Sequence, residues 1–248
     1  MASNSFYAVI AGVGAGTGRS VALKFAKTYP VVLLARKPES YNDIVAEIKA
    51  AGGQAIGIST DLSSADAQAS AAETIKKEYA GKKLAAAVYN ASGGVGRKPF
   101  LEHTVEDLET GLAVNARGLF IFAQTYLPQL LESVDASPAH PPTLIVTGAT
   151  ASVRGSAKFS IFAAGKFAVR ALTQSLAREF GPQGVHVAHT IIDGVIDIPR
   201  TRAWPVNDGK EDGKISADAI ADSYWYLHTQ PRSAFTQELD MRPYVEKF

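Results

Sequence analysis

Short apolar runs alternate with helix-period segments along the whole chain. FYAVIAG at 6–12 is apolar and β-branched and stops at glycine. Residues 18–28 put Val21, Ala22, Phe25 and Ala26 on one helical face. VVLLAR at 31–36 predicts a second buried strand, and 41–53 an amphipathic helix closed by glycines. Further strands are expected at 55–61 and 84–92, with a helix over 65–81 between them. The second half repeats the rhythm: a long helix over 104–132, a strand at 143–149, a helix over 158–180 and a strand at 185–193. A helix at 216–228 and an extended piece at 234–241 complete it. Near-continuous apolar strands, each followed by a helix, predict a parallel sheet covered on both faces. The expected class is α/β, a doubly wound sheet in a single domain over 1–248, with ligands at the carboxyl ends of the strands. ESVDASPAHPP (132–142) reads as a surface loop. The polar stretch within 199–215 reads as a lid over the site or as a plain surface excursion.

The turn after the first strand changes this from architecture to chemistry. AGVGAGTGRS (11–20) carries Gly12, Gly16 and Gly18 between a strand and a helix. A chain that turns sharply, approaches a pyrophosphate and points helix N-terminal amides at it needs glycine there. The second strand ends in Arg36 and Lys37 rather than an acid. A guanidinium at that tip favours a 2′-phosphate, hence NADP over NAD, with Arg19 as a possible helper; a solvated turn is the alternative. Asp61 and Asn90 close the third and fourth strands over the same crevice, and Ala91, Ser92, Gly93 and Gly94 leave room beside them.

Composition narrows the partners. Hydrophobic residues make 46% and charged residues 20% of 248, with net charge +1, so a full core can be buried. Lys and Arg are dispersed, which argues against nucleic acid or an anionic membrane as partner. Cysteine is absent, excluding disulfides, thiolate catalysis and Cys-based zinc sites. The five histidines show no metal-ligand spacing. No run reaches the roughly 18 apolar residues of a membrane span. MASNSFYAVIAG reads as a first strand rather than a signal peptide, YVEKF carries no recognised signal, and a cytoplasmic protein is expected.

Taken together, these motifs resemble the short-chain dehydrogenase/reductase family, which has a Rossmann-like fold. AGVGAGTG resembles its glycine motif with Ala11 in place of threonine. YNAS resembles its Asn-Asn-Ala-Gly, VNARGLF puts Asn115 on the family asparagine, and FAAGK puts Lys166 on the family lysine. The resemblance implies a cofactor set of Gly12, Gly16, Thr17, Gly18, Arg36, Asp61, Leu62, Asn90, Ala91, Lys166, Gly194 and Ile196. It also implies a homodimer or homotetramer formed through the 104–132 and 158–180 helices.

The departures fall on the chemistry. The family tyrosine is Phe162, the family serine Ala149, the Pro-Gly after the sixth strand Asp193-Gly194, and the nicotinamide-side threonine Ile198. Neither Phe162 nor Ala149 can exchange a proton. Positioned acid–base catalysis is worth about 10²–10⁴-fold, roughly 3–5.5 kcal/mol of barrier. Hydride proximity and cofactor orientation survive that loss. Asp193 is the leading replacement acid, with a turn carboxylate as its alternative. Thr150 is expected to point away by strand alternation unless a bulge intervenes. Ser152 and Ser160 are near in sequence, and His189 reads as a packed strand residue. The expected activity is hydride transfer between NADPH and a small carbonyl, alcohol or conjugated substrate. The alternatives are a cofactor-binding pseudoenzyme and a non-redox catalyst in the old pocket.

Overall fold

The computed structural model describes residues 5–93, 96–136 and 138–247. Residues 1–4, Gly94, Ser137 and Phe248, on which parts of those readings fall, lie outside the described residues. The chain runs β1 (Phe6–Ala11), α1 (Thr17–Ala26), β2 (Val31–Ala35), α2 (Asn42–Ala50), β3 (Ala55–Ser59), α3 (Ala65–Glu78) and β4 (Lys83–Tyr89). It continues with α4 (Val105–Leu112), α5 (Gly118–Val134), β5 (Thr143–Thr147), α6 (Ser160–Phe180) and β6 (His186–Ile192). Two short strands follow, β7 (Ile196–Asp197) and β8 (Ile215–Ser216), then α7 (Ala217–His228) and β9 (Glu238–Met241).

The main sheet has the order β3-β2-β1-β4-β5-β6-β9, and each neighbouring pair is parallel. Successive crossovers run one way from β1 to β3 and the other way from β4 to β9. The connection reverses between β1 and β4, which opens a crevice at their carboxyl ends. The doubly wound single-domain reading holds.

Strands β1, β2 and β5 are buried throughout, because both sheet faces are covered. One apolar layer packs Val21, Phe25, Ile44 and Tyr224 of α1, α2 and α7 against the sheet. The other packs Ile75, Leu119, Phe122 and Val169 of α3, α5 and α6. Among the described residues no helix is long and apolar enough to cross a membrane.

Two details differ from the periodicity. The helix expected over 104–132 is broken by a wider π-type turn at Ala113–Arg117. The 199–215 excursion is pinched at its base, where β7 pairs with β8 through Ile196–Ile215 and Asp197–Ser216.

Candidate active site

Gly12 sits at φ +84°, where a side chain is strained, and a Cβ there would lie 2.4 Å from Ala91 N. A Cβ on Gly18 would lie 2.8 Å from both Gly12 O and Val13 Cα. These obstacles are backbone, so the turn can form this tightly only with glycine. The N-cap of α1 makes no side-chain hydrogen bond and its first turn holds no acid. Arg19 N already donates to Gly16 O at 2.9 Å, so the helix dipole and the amides ahead of Arg19 are what this turn offers an anion. Thr17 and Ala91 are buried against the turn.

Asn90 fastens this turn to the sheet. Its Nδ2 donates to Gly12 O at 3.0 Å, and its Oδ1 accepts from Thr147 Oγ1 at 3.1 Å. Tyr224 OH lies 2.6 Å from Thr147 Oγ1 and 2.8 Å from Thr190 Oγ1. A buried polar thread thus runs from the glycine turn across β5 and β6 to α7.

At the other end of the crevice, Asp61 accepts from the Ser63 hydroxyl at 2.7 Å and from Ser63 N at 2.9 Å. Those bonds, with the Arg36 and Arg117 charges, hold its carboxyl below the usual range. Leu62 beside it is buried. Arg36 is exposed at the end of β2, close enough for its charge to act on Asp61. Arg19 is drawn elsewhere: its guanidinium grips Glu47 with a pair of bonds at 2.5 and 3.1 Å.

Asn115 sits inside the π-type turn and is fully buried. Its Nδ2 donates to Gly111 O at 2.8 Å and to Gly93 O at 2.7 Å. Tyr89 OH donates to Val114 O at 2.5 Å. A wider turn leaves carbonyls off the regular ladder, and these two side chains recapture them. A Cβ on Gly165 would lie 3.0 Å from Asn115 Nδ2, so α6 passes close to this turn and brings Lys166 with it.

Lys166 is 3% exposed, and its Nζ donates to Thr147 O at 2.9 Å. Burial lowers its pKa from 10.5 to about 8. One turn earlier Phe162 is half-buried, and Ala149 lies two residues beyond the end of β5. Ser160 Oγ is buried without a hydrogen-bond partner.

Thr150 departs from expectation. Strand β5 ends at Thr147, and residues Thr150–Ser152 form a tight helical turn, so strand alternation no longer sets the side-chain direction. Thr150 Oγ1 donates to Asp193 Oδ1 at 2.5 Å. Asp193 Oδ2 pairs with Arg242 Nη1 at 3.1 Å. Asp193 is thus a bridging carboxylate, tying the β5–α6 turn to the chain beyond β9. Arg242 is the partner missed in the sequence. A buried acid at that strand end demands a cation, but its identity follows only from β9 lying beside β6.

His189, fully buried, faces Glu238 with Nδ1 at 3.0 Å, and Glu238 is gripped by Arg170 at 2.7 Å. Burial pushes the imidazole pKa down, as a packed neutral histidine requires. Its Nε2 and Ser152 Oγ converge beside Gly148, where a Cβ would lie 2.2 and 2.8 Å from them. Ser152 Oγ itself accepts from Ala149 N at 3.1 Å. Among the described residues no cluster of three His, Asp or Glu could hold a metal.

Over the glycine turn lies Ile198: a Cβ on Gly16 would be 2.7 Å from its Cγ2. Ile196 is half-buried in β7. Gly194, at φ +150°, lets Pro243 approach, since a Cβ would lie 2.8 Å from its Cδ. Lys214 Nζ donates to the carbonyls of Thr201 and Arg202 at 3.0 and 2.6 Å, holding the excursion down.

A glycine turn, a buried lysine and a buried asparagine on one edge of a doubly wound sheet define an α/β dinucleotide-type site. The short chain dehydrogenase family model matches residues 7–205, and the chain belongs to that family of oxidoreductases. An uncharacterized oxidoreductase of Staphylococcus aureus is 26% identical over 237 residues, covering 95% of this chain and 96% of that one. A short-chain dehydrogenase structure from Rhodopseudomonas palustris is 32% identical with TM-score 0.78, covering 98% and 100% of the two chains. A Burkholderia cenocepacia short chain dehydrogenase in complex with NADP shares the fold, at 23% identity, TM-score 0.81 and coverage of 97% and 98%.

Proposed function

We propose that the protein is an NADP-dependent oxidoreductase with an atypical proton path, acting on a small alcohol, carbonyl or conjugated substrate. The observation that carries this is the pairing of an intact cradle with a stripped reaction centre. Gly12 and Gly18 sit where a Cβ would strike backbone, and α1 opens with uncapped amides. Lys166 and Asn115 are buried in place, while 149 and 162 carry no hydroxyl.

These residues fit a dinucleotide. The α1 amides would take its pyrophosphate, Asp61 and Leu62 the adenine end, Arg36 a 2′-phosphate, and Lys166 the nicotinamide-side sugar. Ala91, Gly194 and Ile196 would line its path. When bound, the nicotinamide supplies hydride chemistry. Ile198 and Phe162 keep the reacting region dry, and Lys166 brings positive charge to it. Asp193 is the candidate for the missing acid–base group. The NADP-bound relative supports the phosphate preference, as does the absence of an acid at the end of β2.

Titration with NADPH and NADH by fluorescence tests this. NADPH should bind more tightly, and Arg36→Glu should erase the difference. Phe162→Tyr with Ala149→Ser should raise ordinary carbonyl reduction, since positioned acid–base groups contribute about 10²–10⁴-fold. A second reading, a dinucleotide-binding sensor without turnover, is favoured by the joint loss of both hydroxyls. It predicts tight NADPH binding with no consumption across aldehydes, ketones and enones. A homodimer through α5 and α6 and a cytoplasmic location belong to the same proposal.

A further inference from the structure

Positions 149 and 162 carry no hydroxyl to meet a substrate oxygen, and the β5–α6 turn supplies one nearby. Thr150 follows Ala149 directly and is half-buried. Its Oγ1 donates to Asp193 Oδ1 at 2.5 Å. Asp193 is 6% exposed, pairs through Oδ2 with Arg242 Nη1 at 3.1 Å, and donates its backbone N–H to Met241 O at 2.8 Å. The carboxylate is therefore fixed through its backbone and by Arg242, and it holds Thr150 in turn.

Polarity follows from this geometry. A hydroxyl has one hydrogen and two lone pairs, and a carboxylate only accepts. Thr150 has committed its hydrogen to Asp193, so it presents lone pairs. A carbonyl ligand brings lone pairs too, and the two would face each other unpaired. An alcohol brings the hydrogen that Thr150 lacks.

We propose that Thr150, oriented by Asp193, is the residue that meets the ligand oxygen, and that it selects a hydroxyl-bearing ligand over the carbonyl of the same skeleton. This rests on the oxidoreductase reading and deepens it. In the oxidising direction the alcohol O–H bond breaks and its proton passes to Thr150 Oγ1. The Thr150 proton passes to Asp193 Oδ1. The carbinol C–H bond breaks with its electron pair leaving as hydride to an oxidised nicotinamide, and the C=O bond forms. Arg242 is not stranded when Asp193 is neutralised, because Asp240 accepts from its Nε at 3.0 Å and from its Nη2 at 2.5 Å.

Binding alone can test this, without turnover. Paired ligands, cyclohexanol with cyclohexanone and benzyl alcohol with benzaldehyde, are titrated by saturation-transfer NMR. Each alcohol is added to protein with NADPH and each carbonyl to protein with NADP⁺, combinations in which hydride cannot move. Both are also added to protein alone. The alcohol of each pair should bind about tenfold more tightly, the worth of one hydrogen bond. Thr150→Val, which keeps the shape, should remove that preference, and Thr150→Ser should keep it. Asp193→Asn supplies an amide that donates to Thr150, which frees its hydrogen and should move the preference toward the carbonyl. Melting temperatures confirm that each variant is folded.

Equal binding of the paired ligands, tighter binding of the carbonyls, or an unchanged preference in Thr150→Val overturns the proposal, as does failure of every alcohol to bind. Failure of NADPH to bind sinks the cofactor reading instead, and the alcohol–carbonyl comparison on the protein alone still decides the role of Thr150.

Discussion

Lys166 carries an ammonium into a buried site, where it donates to a neutral carbonyl, Thr147 O at 2.9 Å. Its pKa of about 8, against the ordinary 10.5, has a thermodynamic sign. Below about 8 the folded and unfolded chains both hold this proton; between about 8 and 10.5 only the unfolded chain does. The unfolded state then binds more protons, so stability rises with pH across that window and is lost as pH falls through it. The gain attributable to this group is of the order of 3 kcal/mol, at about 1.4 kcal/mol per pKa unit. Urea midpoints measured across the window should rise more in the wild type than in Lys166→Met. Sugar hydroxyls that accept hydrogen bonds from Lys166 favour its charged form. Dinucleotide binding just above pH 8 should therefore take up a proton. Calorimetry in buffers of different ionisation heat reads it directly, and a heat independent of buffer would refute the placement of the ligand beside this lysine. His228 behaves similarly at acid pH. Burial pushes its pKa from 6.5 to about 3, so its contribution is present above 6.5 and lost as pH falls toward 3.

At the scale of elements, the π-type turn between α4 and α5 is where the fold makes the site. Tyr89 and Asn115 between them hold the carbonyls of Val114, Gly111 and Gly93. Tyr89→Phe removes one buried hydrogen bond and should cost about 1 kcal/mol. Asn115→Ala orphans two carbonyls and should cost about 1–3 kcal/mol, read from urea unfolding at constant slope. Shared loss of NADPH affinity in both variants would show that the turn positions the crevice, whereas stability changes alone would confine it to packing. This turn was hidden in the sequence because a period-3.6 pattern continues through it, and because Tyr89 lies on a strand 25 residues away. The central strands were legible: β1, β2 and β5 are largely apolar runs buried along their whole length. The β7–β8 pair was not, since two residues apiece carry no periodicity. Thr150 was misdirected for the opposite reason. A strand rule was carried to Thr150, three residues beyond Thr147, where β5 ends.

For the whole molecule, sequence order sufficed to read a doubly wound sheet, because each strand–helix crossover is local. Contacts between remote segments were beyond it. Arg242 reaching Asp193, and Arg170 reaching Glu238 and thence His189, depend on β9 lying beside β6. The outer faces of α5 and α6 pose the remaining question. A groove of about 440 Å³ runs between them, lined by Leu127, Leu131, Leu172, Leu176 and Phe180. Phe120 stands half-exposed on its edge, and Phe167 is 43% exposed on the same helix as Leu172. Apolar surface of this kind is expected to be covered in solution. A second copy of the chain, placing its own α5 and α6 on the first, would bury each Phe120 against the other groove in an isologous contact. Sedimentation velocity should then give twice the chain mass. Phe120→Asp puts two like charges into that contact and should give the monomer, with secondary structure retained because the side chain is half-exposed. A wild-type monomer at micromolar concentration, or a Phe120→Asp dimer, would mean that this face is left to solvent.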